Sequence, residues 1–374
     1  MAGIYIHIPF CKQKCTYCDF HFSTTFSDYR SEMIEAILKE IDLRKVYLLN
    51  QQIQTIYFGG GTPSLLTENE IVKILTKIRN EFIVLADVEV TLEANPDDIT
   101  EEKLAIWKHA GVNRLSIGLQ SFKESDLKWM NRAHTVEEAN QCISMAQNAG
   151  FNSLTVDLIY GLPNLSLEEW QDHIQRLIDL KVPHISAYCL TVESNTVLDH
   201  LVKKGKIIPS SDEAQAEQFL LLIDLLEKNG YEQYEISNFC LKNSASLHNS
   251  NYWKGEHYLG IGPSAHSFDG KSRSWNVANN RKYIKGIQQN RDYFETETLS
   301  NRDLFNETIL TGLRTKYGVG ITPLKNLLSF TPDFESMIKD FKHKNWLTEV
   351  NERYYLTQEG KLMADYITSE LFII

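Results

Sequence analysis

Several features that would place a chain of 374 residues in a familiar class are missing from this sequence. No apolar run approaches the ~20 residues that a helix needs to cross a bilayer, so we expect no integral membrane segment. No secretory signal, low-complexity stretch or block of like charge is recognisable. We therefore expect a cytoplasmic globular protein, for which any attachment to a membrane would require a partner.

Positive charge is also in short supply. Lysine and arginine together number 38, against 49 aspartates and glutamates, which gives a formal net charge of −11. A general nucleic-acid binder presents a basic surface, so this balance argues against DNA or RNA as a partner, although it leaves room for a local basic patch.

Cysteine is scarce, yet three of the six cysteines fall in one short loop. Cys11, Cys15 and Cys18 have the spacing C-x3-C-x2-C and follow the short apolar segment IYIHIPF. Three thiolates fill three corners of a cubane [4Fe–4S] cluster and leave one iron without a protein ligand. That iron can bind a substrate or a cofactor. The triplet therefore predicts an open-site cluster.

Three alternatives to a cluster remain. A structural zinc site closes with four ligands, often as two C-x2-C pairs, and no second pair exists here. A disulfide framework belongs to secreted chains that are too small to fold without it. Unligated free thiols are the third alternative. The other cysteines, Cys142, Cys189 and Cys240, are scattered, and we expect them to be buried and inert.

Short apolar segments alternate with helical patterns over residues 1 to about 190. The expected strands are Ile4–Ile8, Thr55–Phe58, Val88–Leu92, Arg114–Gly118, Ser153–Leu158 and His184–Leu190. The expected helices are 28–49, 67–82, 100–110, 123–148 and 167–180, with a further one at 211–228. Such βα repeats predict a parallel sheet with right-handed crossovers. Because six repeats are too few for a closed eight-stranded barrel, we expect an α/β fold built on a partial (β/α)6 barrel.

The pattern changes after about residue 290. Helices are expected at 301–317, 324–328, 333–344 and 357–370, with a hairpin at Leu347–Leu356. Short helices followed by a two-stranded wing predict a small α+β, winged-helix-like domain. We therefore divide the chain into a partial barrel (1–230), a connecting segment that covers the barrel (231–300) and a C-terminal domain (301–374).

Polar residues follow the predicted strands, and in parallel βα folds the active site lies at the carboxyl ends of the strands. A glycine-rich turn, Gly59–Gly61, ends the second strand and could bring backbone groups close to a ligand. The polar side chains at or after strand ends are Thr62, Glu93, Gln120, Arg132 and Asp157. Each alone could be a turn, capping or surface residue. Together, the carboxylates could accept hydrogen bonds from hydroxyl or ammonium groups of a ligand, and the arginine could pair with a carboxylate of the ligand. A nucleoside that carries an amino acid has all of these groups.

These motifs resemble the radical S-adenosylmethionine (SAM) superfamily and, over almost the whole chain, its oxygen-independent coproporphyrinogen oxidase-like branch. The segments YIHIPFC, YFGGGTP, EANPD, RLSIGLQSF and DLIYGLP carry the resemblance. It implies a [4Fe–4S] cluster on Cys11, Cys15 and Cys18, with SAM chelating the open iron. The SAM contacts that it implies are Tyr5, Tyr17, Gly60, Gly61, Thr62, Glu93, Gln120, Arg132 and Asp157. In that superfamily the reduced cluster cleaves SAM to methionine and a 5′-deoxyadenosyl radical.

Two departures separate this chain from the porphyrin-forming dehydrogenase of that branch. The dehydrogenase has a fourth cysteine where this chain has Phe20, and a long extension where this chain has ten residues before Cys11. Both departures resemble the HemW group of heme chaperones instead. The segment His248–Trp253 also resembles the H-N-x-x-Y-W signature of that group, which implies that His248 takes part in heme binding. His266 lies in YLGIGPSAHSF, which we expect over the barrel mouth, and is a weaker candidate.

The resemblance thus implies a heme chaperone that binds heme and a SAM-ligated cluster and passes heme to hemoproteins such as respiratory enzymes. An electron or heme donor protein would be a further partner. The alternatives are a coproporphyrinogen III dehydrogenase that abstracts hydrogen from propionate side chains, an unrelated radical methyltransferase, and a DNA-binding module suggested by the winged C-terminus. Two roles for SAM are compatible with the resemblance: SAM is cleaved, which would make the protein an enzyme, or SAM only orders the cluster region.

Overall fold

The first 230 residues form the alternation of strands and helices that the sequence predicts. The computed structural model describes residues 1–373. Its first strands are β1 (Ala2–Ile8), β2 (Ile53–Gly60), β3 (Val84–Ala94), β4 (Arg114–Gln120), β5 (Ser153–Tyr160) and β6 (His184–Cys189). The helices between them are α1 (Arg30–Leu43), α2 (Glu68–Glu81), α3 (Glu101–Ala110), α4 (Glu124–Trp129), α5 (Val136–Asn148) and α6 (Leu167–Asp179), and α7 (Val197–Lys203) and α8 (Asp212–Lys228) follow β6.

Strands β1 to β6 lie side by side in chain order, each parallel to the next, which confirms the predicted partial barrel. Side chains alternate along each strand, so one face of the sheet is apolar and the other polar. In β1, Ile4 and Ile6 are buried in the apolar core together with Ile37 of α1. Tyr5 points the opposite way and lines an interior cavity. The predicted caps Thr67, Thr100 and Ser166 each accept a hydrogen bond from the first turn of their helix.

Residues 231–300 extend this sheet on both of its edges. The additional strands are β7 (Glu232–Glu235), β8 (Asn238–Cys240), β9 (His257–Ile261), β10 (His266–Phe268), β11 (Ser272–Asn276) and β12 (Phe294–Thr298). The hairpin of β7 and β8 joins β6, whereas β9 pairs in parallel with β1 and is followed outward by β10, β11 and β12. Helices α9 (Leu247–Trp253) and α10 (Asn280–Gln289) belong to the same segment. The segment expected over the mouth therefore extends the sheet, and residues 241–256, which include α9, connect β8 beside β6 to β9 beside β1.

The C-terminal domain has an apolar core of its own around Phe305 and Phe334. Its elements are α11 (Asn301–Leu313), β13 (Val319–Gly320), α12 (Ile321–Leu327), α13 (Pro332–His343), β14 (Leu347–Val350), β15 (Arg353–Leu356), α14 (Gln358–Leu362) and α15 (Ala364–Glu370). The predicted hairpin turns at Asn351 and Glu352, which both have positive φ, at 50° and 56°. The three strands form a small sheet in the order β13-β15-β14.

Two predicted helices are each divided into two in the structure. The segment 123–148 breaks between α4 and α5, because Asn131 adopts a left-handed φ of 56° and Thr135 caps a new helix. The last predicted helix divides at Met363 into α14 and α15. Helices α7, α9 and α10 were not predicted; α9, with the sequence LHNSNYW, has no apolar stripe to reveal it. Over residues 1–373, none of the helices has both the length and the apolar character to cross a membrane.

A buried carboxylate joins the connecting segment to the barrel. Glu40 of α1 has no exposed surface and accepts hydrogen bonds from the backbone N–H of Gly262 at 2.8 Å, the amide of Asn276 at 2.7 Å and the hydroxyl of Tyr283 at 2.5 Å. Burial raises the pKa of Glu40 above its usual value, while these hydrogen bonds act in the opposite direction. One side chain of α1 thus holds a turn, a strand and a helix of the connecting segment.

Replacing Glu40 by glutamine is expected to lower the free energy of unfolding by about 2 kcal/mol, because the amide NH2 would face buried donors that then lose their acceptor. The measurement is urea denaturation followed by circular dichroism. Glu35→Gln is the matched control, since Glu35 is exposed on the same helix, and it should change the stability by less than about 0.5 kcal/mol. Equal stabilities of the two variants would contradict the role assigned to Glu40.

Candidate functional site

The carboxyl ends of the parallel strands surround one cavity of about 540 Å³. The predicted residues that line it are Tyr5, Cys11, Cys15, Tyr17, Cys18, Gly60, Gly61, Thr62, Glu93, Gln120, Arg132, Asp157 and His248. His266 lies elsewhere: its exposed side chain on β10 stacks on Trp275 with the ring centroids 6.3 Å apart. The fold therefore brings together residues from strands β1 to β5, from the loops that follow them and from one distant helix.

The three clustered cysteines lie half-buried in the loop after β1 and form no disulfide. The hydroxyl of Thr62 donates to Cys11 Sγ at 3.5 Å, and the guanidinium of Arg132 donates to Cys15 Sγ at 3.4 Å. Burial raises the pKa of Cys11 to about 11 and that of Cys18 to about 12, so both thiols are protonated at neutral pH. Within residues 1–373, no three cysteine, histidine or acidic side chains converge closely enough to hold a single metal ion. A cubane cluster needs no such convergence, because each thiolate binds its own iron.

An ion network holds the cysteine loop against the neighbouring strand ends. Lys12 contacts Asp97 at 2.5 Å and Asp98 at 2.7 Å, both just after β3. Asp98 is buried and also accepts from Ser64 Oγ at 2.8 Å and from Lys103 at 2.8 Å. Sequence reasoning missed these residues. The acidic pair in EANPDD was visible, but nothing in the sequence showed that a lysine between two cysteines faces it.

The glycine turn after β2 runs directly against the cysteine loop. Gly60 has a left-handed φ of 104°, and its N–H donates to Glu93 Oε2 at 3.1 Å. A Cβ on Gly61 would lie 2.6 Å from the carbonyl oxygen of Phe10, so no larger residue fits there without displacing the loop. The turn therefore leaves its backbone open to a ligand beside the cysteines.

Two carboxyl groups, those of Glu93 and Asp157, line the upper part of the cavity. Burial raises the pKa of Glu93 to about 7, although it accepts a hydrogen bond from Tyr57 at 2.8 Å. Burial, followed by the charge of Glu93, raises the pKa of Asp157 to about 7 as well. Near neutral pH each group can therefore hold or release a proton, and a positively charged ligand would favour the ionised forms.

Arg132 stands between these carboxyl groups and the cysteines. Its Nη2 donates to the carbonyl of Gly118 at 2.6 Å and to Asn95 at 2.8 Å, whereas its buried Nε has no partner among residues 1–373. Gln120 ends β4 with a left-handed φ of 72°, and a Cβ on Gly118 would lie 2.9 Å from its amide nitrogen. The cavity therefore offers three thiols, an arginine with a free donor, and carboxyl groups whose pKa values lie near neutral pH. These groups suit an iron–sulfur cluster to which an amino-acid nucleoside is bound.

His248 lies at the opposite, amino-terminal end of the strands. Its Nδ1 is 2.8 Å from Thr55 Oγ1, its Nε2 is 3.0 Å from the hydroxyl of Tyr252, and its ring stacks on Tyr57 with the centroids 4.9 Å apart. The residue is 3% exposed, and burial lowers the pKa of its imidazole to about 3, so the ring is neutral. Glu89 accepts from the backbone N–H of Leu247 and His248 and so fixes the first turn of α9.

We call the amino-terminal end of the strands, which α9 fills, the barrel floor. The length of the strands separates the barrel floor from the cysteine loop. His248 packs beside Gly3, at the start of β1, and the loop begins after Ile8. At ~3.3 Å per residue, five residues of strand correspond to about 17 Å. A heme role for His248 stays a prediction, and it would require the macrocycle to reach this depth.

The comparisons with known proteins agree with this geometry. Residues 5–177 match the model of the radical SAM superfamily. The chain is 34% identical to a heme chaperone HemW of Bacillus subtilis, covering 98% of each chain, and 33% identical to a heme chaperone HemW of Escherichia coli, covering 99% of this chain and 98% of that one.

A solved structure shares the fold at lower identity. It is that of the coproporphyrinogen III oxidase HemN of Escherichia coli, described as a radical SAM enzyme, with a TM-score of 0.86 and 20% identity over 99% of this chain and 90% of that one. Since relatives above 30% identity span nearly the whole chain, this protein belongs to the radical SAM superfamily and, within its coproporphyrinogen oxidase-like branch, to the HemW family.

Proposed function

We propose that this protein is a heme chaperone, which binds heme and a SAM-ligated [4Fe–4S] cluster and transfers heme to hemoproteins such as respiratory enzymes. The observation that carries the proposal is similarity over nearly the full length to proteins named heme chaperones. We further propose that it acts in the cytoplasm and that an electron or heme donor protein is a second partner.

In this proposal the upper cavity holds the cluster and SAM. Cys11, Cys15 and Cys18 ligate three irons, and the bound cluster supplies one-electron reduction to SAM. Arg132 pairs with the carboxylate of the ligand, while Glu93 and Asp157 accept hydrogen bonds from its hydroxyl or ammonium groups. The remaining SAM contacts that we propose are Tyr5, Tyr17, Gly60, Gly61, Thr62 and Gln120, which line the same cavity.

We propose that His248 takes part in heme binding from the barrel floor. Both of its ring nitrogens now have partners, so Nε2 would have to exchange the hydroxyl of Tyr252 for iron. The imidazole is neutral because burial lowers its pKa to about 3, and a neutral imidazole is the form that ligates iron. Tyr57 and Tyr252, which already contact the ring, would then lie against the macrocycle.

The competing function is that of a coproporphyrinogen III dehydrogenase, which the shared fold favours. Phe20 occupies the place where, from the sequence, that enzyme is expected to carry a fourth cysteine. Here its side chain is 68% exposed at the rim of the cavity. The two functions differ in what happens to a tetrapyrrole: a heme chaperone binds heme and releases it unchanged, whereas the dehydrogenase decarboxylates coproporphyrinogen III.

With the cluster reconstituted anaerobically and SAM and reductant present, we expect stoichiometric heme binding and no conversion of coproporphyrinogen III. His248→Gln should weaken heme binding about tenfold or more and shift the heme absorbance spectrum, because an amide replaces the iron-binding imidazole. His343→Gln, on an exposed histidine of the C-terminal domain, is the matched control. Robust decarboxylation would refute the chaperone proposal, and unchanged heme spectra in His248→Gln would refute the role of His248.

A variant in which Cys11, Cys15 and Cys18 are all alanine should lose the absorbance of the iron–sulfur cluster and retain heme binding. The reason is that the cysteine loop and His248 lie at opposite ends of the strands. Cys142→Ala is the control, because that buried thiol lies on α5 in the apolar core. Anaerobic absorbance spectra and heme titration provide the measurements. Loss of both signals in the triple variant would show that the two sites are one.

Affinity for SAM is expected to rise between about pH 6 and about pH 8. Glu93 and Asp157, whose pKa values burial raises to about 7, lose their protons over this range, and the resulting charge attracts the sulfonium of SAM. Asp157→Asn should flatten this pH dependence, whereas Glu35→Gln, outside the cavity, should preserve it. Calorimetric titration of SAM into the cluster-loaded protein measures the effect. An affinity that falls with pH would contradict the assignment.

A further inference from the structure

A second polar layer lies below the residues assigned to SAM. In the sheet register Thr91 pairs with Arg114, Arg114 with Ser153, and Thr155 with His184. Thr91, Arg114, Thr155 and His184 line the same cavity as the cysteines. The carboxyl groups of Glu93 and Asp157 belong to positions two residues further along β3 and β5, which is about 7 Å higher. Nothing in the proposed cluster and SAM site uses the lower layer.

Arg114 is a buried cation with few charged partners. It is 2% exposed, and its Nη1 and Nη2 donate to the hydroxyls of Ser153 and Thr155, both at 2.7 Å. Among residues 1–373, Glu89 is the one carboxylate within 4.0 Å, and it already accepts two backbone N–H groups of α9. Burying a guanidinium against neutral hydroxyls is costly, so an added anion would stabilise it.

His184 presents an unsatisfied donor in the same layer. Its Nε2 lies 2.7 Å from the hydroxyl of Tyr234, and Asn249 donates to that hydroxyl oxygen at 3.0 Å. Because the Tyr234 oxygen already accepts from Asn249, we assign its own proton to the bond with Nε2, and this assignment leaves the hydrogen of the neutral ring on Nδ1. Burial, with the charge of Arg114, lowers the pKa of His184 well below its usual value and keeps the ring neutral. In the described part of the chain, neither His184 Nδ1 nor Thr91 Oγ1 has a hydrogen-bond partner, and both residues are buried.

We propose that Arg114, His184 and Thr91 form a carboxylate-binding site on the floor of the barrel. A guanidinium, an imidazole N–H and a hydroxyl supply donors for both oxygens of a carboxylate. When SAM fills the upper site, its positive charge offsets the carboxylates of Glu93 and Asp157 in the layer above, which limits their repulsion of such a ligand. Its source is either the propionate arm of a tetrapyrrole, which rests on the proposed function, or a free short carboxylic acid.

The test uses the full-length protein with its cluster reconstituted and SAM at saturation, so that the upper site is filled. Propionate should bind and the isosteric propionamide should not. Arg114→Gln and Thr91→Val should each weaken propionate binding about tenfold, because each removes a buried hydrogen bond to a charged group. Arg79→Gln and Thr76→Val are the matched controls, since both residues are exposed on α2. If Arg114→Gln fails to fold, the isosteric Thr91→Val still decides.

Heme and its dimethyl ester identify the source of the carboxylate. Weaker binding of heme, but not of the ester, in Arg114→Gln and Thr91→Val supports a tetrapyrrole. If both variants bind heme with wild-type affinity but bind propionate more weakly, the result supports a free acid. Equal binding of propionate and propionamide, or wild-type affinity in both variants, would overturn the inference and leave the chaperone proposal intact. Absence of heme binding, with propionate binding that depends on Arg114, would overturn the chaperone proposal alone.

Discussion

The alternation of side chains along six parallel strands is the constraint on which the rest of the molecule depends. Odd positions of β1 such as Tyr5 face the cavity, while Ile4 and Ile6 pack in the apolar core. Shifting one strand by a single residue would expose its apolar set to the cavity and bury its polar set against the helices. The polar residues therefore line the cavity, because the helices cover the opposite, apolar face of the sheet. Since the strands are parallel, their carboxyl ends all lie at one rim of the cavity.

Neutral thiols at that rim make cluster assembly a linked reaction. Cys11 and Cys18 are protonated at neutral pH because burial raises their pKa values, so ligation must release their protons. The fold lowers the conformational entropy cost of cluster ligation, because the cysteine loop is already held in place before the metal binds. Lys12 joins the loop to the end of β3, and the backbone of Thr62 donates to the carbonyl of Phe10. The loop is thus positioned by ion pairs and backbone contacts, in addition to the hydrogen bonds that Thr62 and Arg132 donate to Cys11 Sγ and Cys15 Sγ.

The strands and the cavity rim could be predicted from the sequence, because each rests on a local pattern. Buried β-branched runs mark strands, and residues such as Glu93 and Asp157 end them. The pairing of β9 with β1 could not be predicted, since the paired residues, such as Ala2 and His257, lie far apart in the sequence. A hydrophobic pattern indicates that a strand exists, but it does not identify the strand with which it pairs. Arg114 was predicted only as the first residue of a strand. Its inward direction became meaningful once the register placed Thr91 on the neighbouring strand β3 and His184 on β6, two strands away on the other side.

Helix α9 links the barrel floor to the C-terminal domain. His248 at its start is held by Thr55 of β2, while Trp253 at its end lies beneath the guanidinium of Arg314, 5.7 Å from the ring centroid. The backbone N–H of Ile236 donates to the carbonyl of Arg314, so the same residue also joins the edge of the sheet. Seven residues of helix are too few to be stable alone, and α9 therefore exists because both ends are anchored. A ligand that displaced the His248 end would disturb the docking of the C-terminal domain, because the two contacts share one short rigid element.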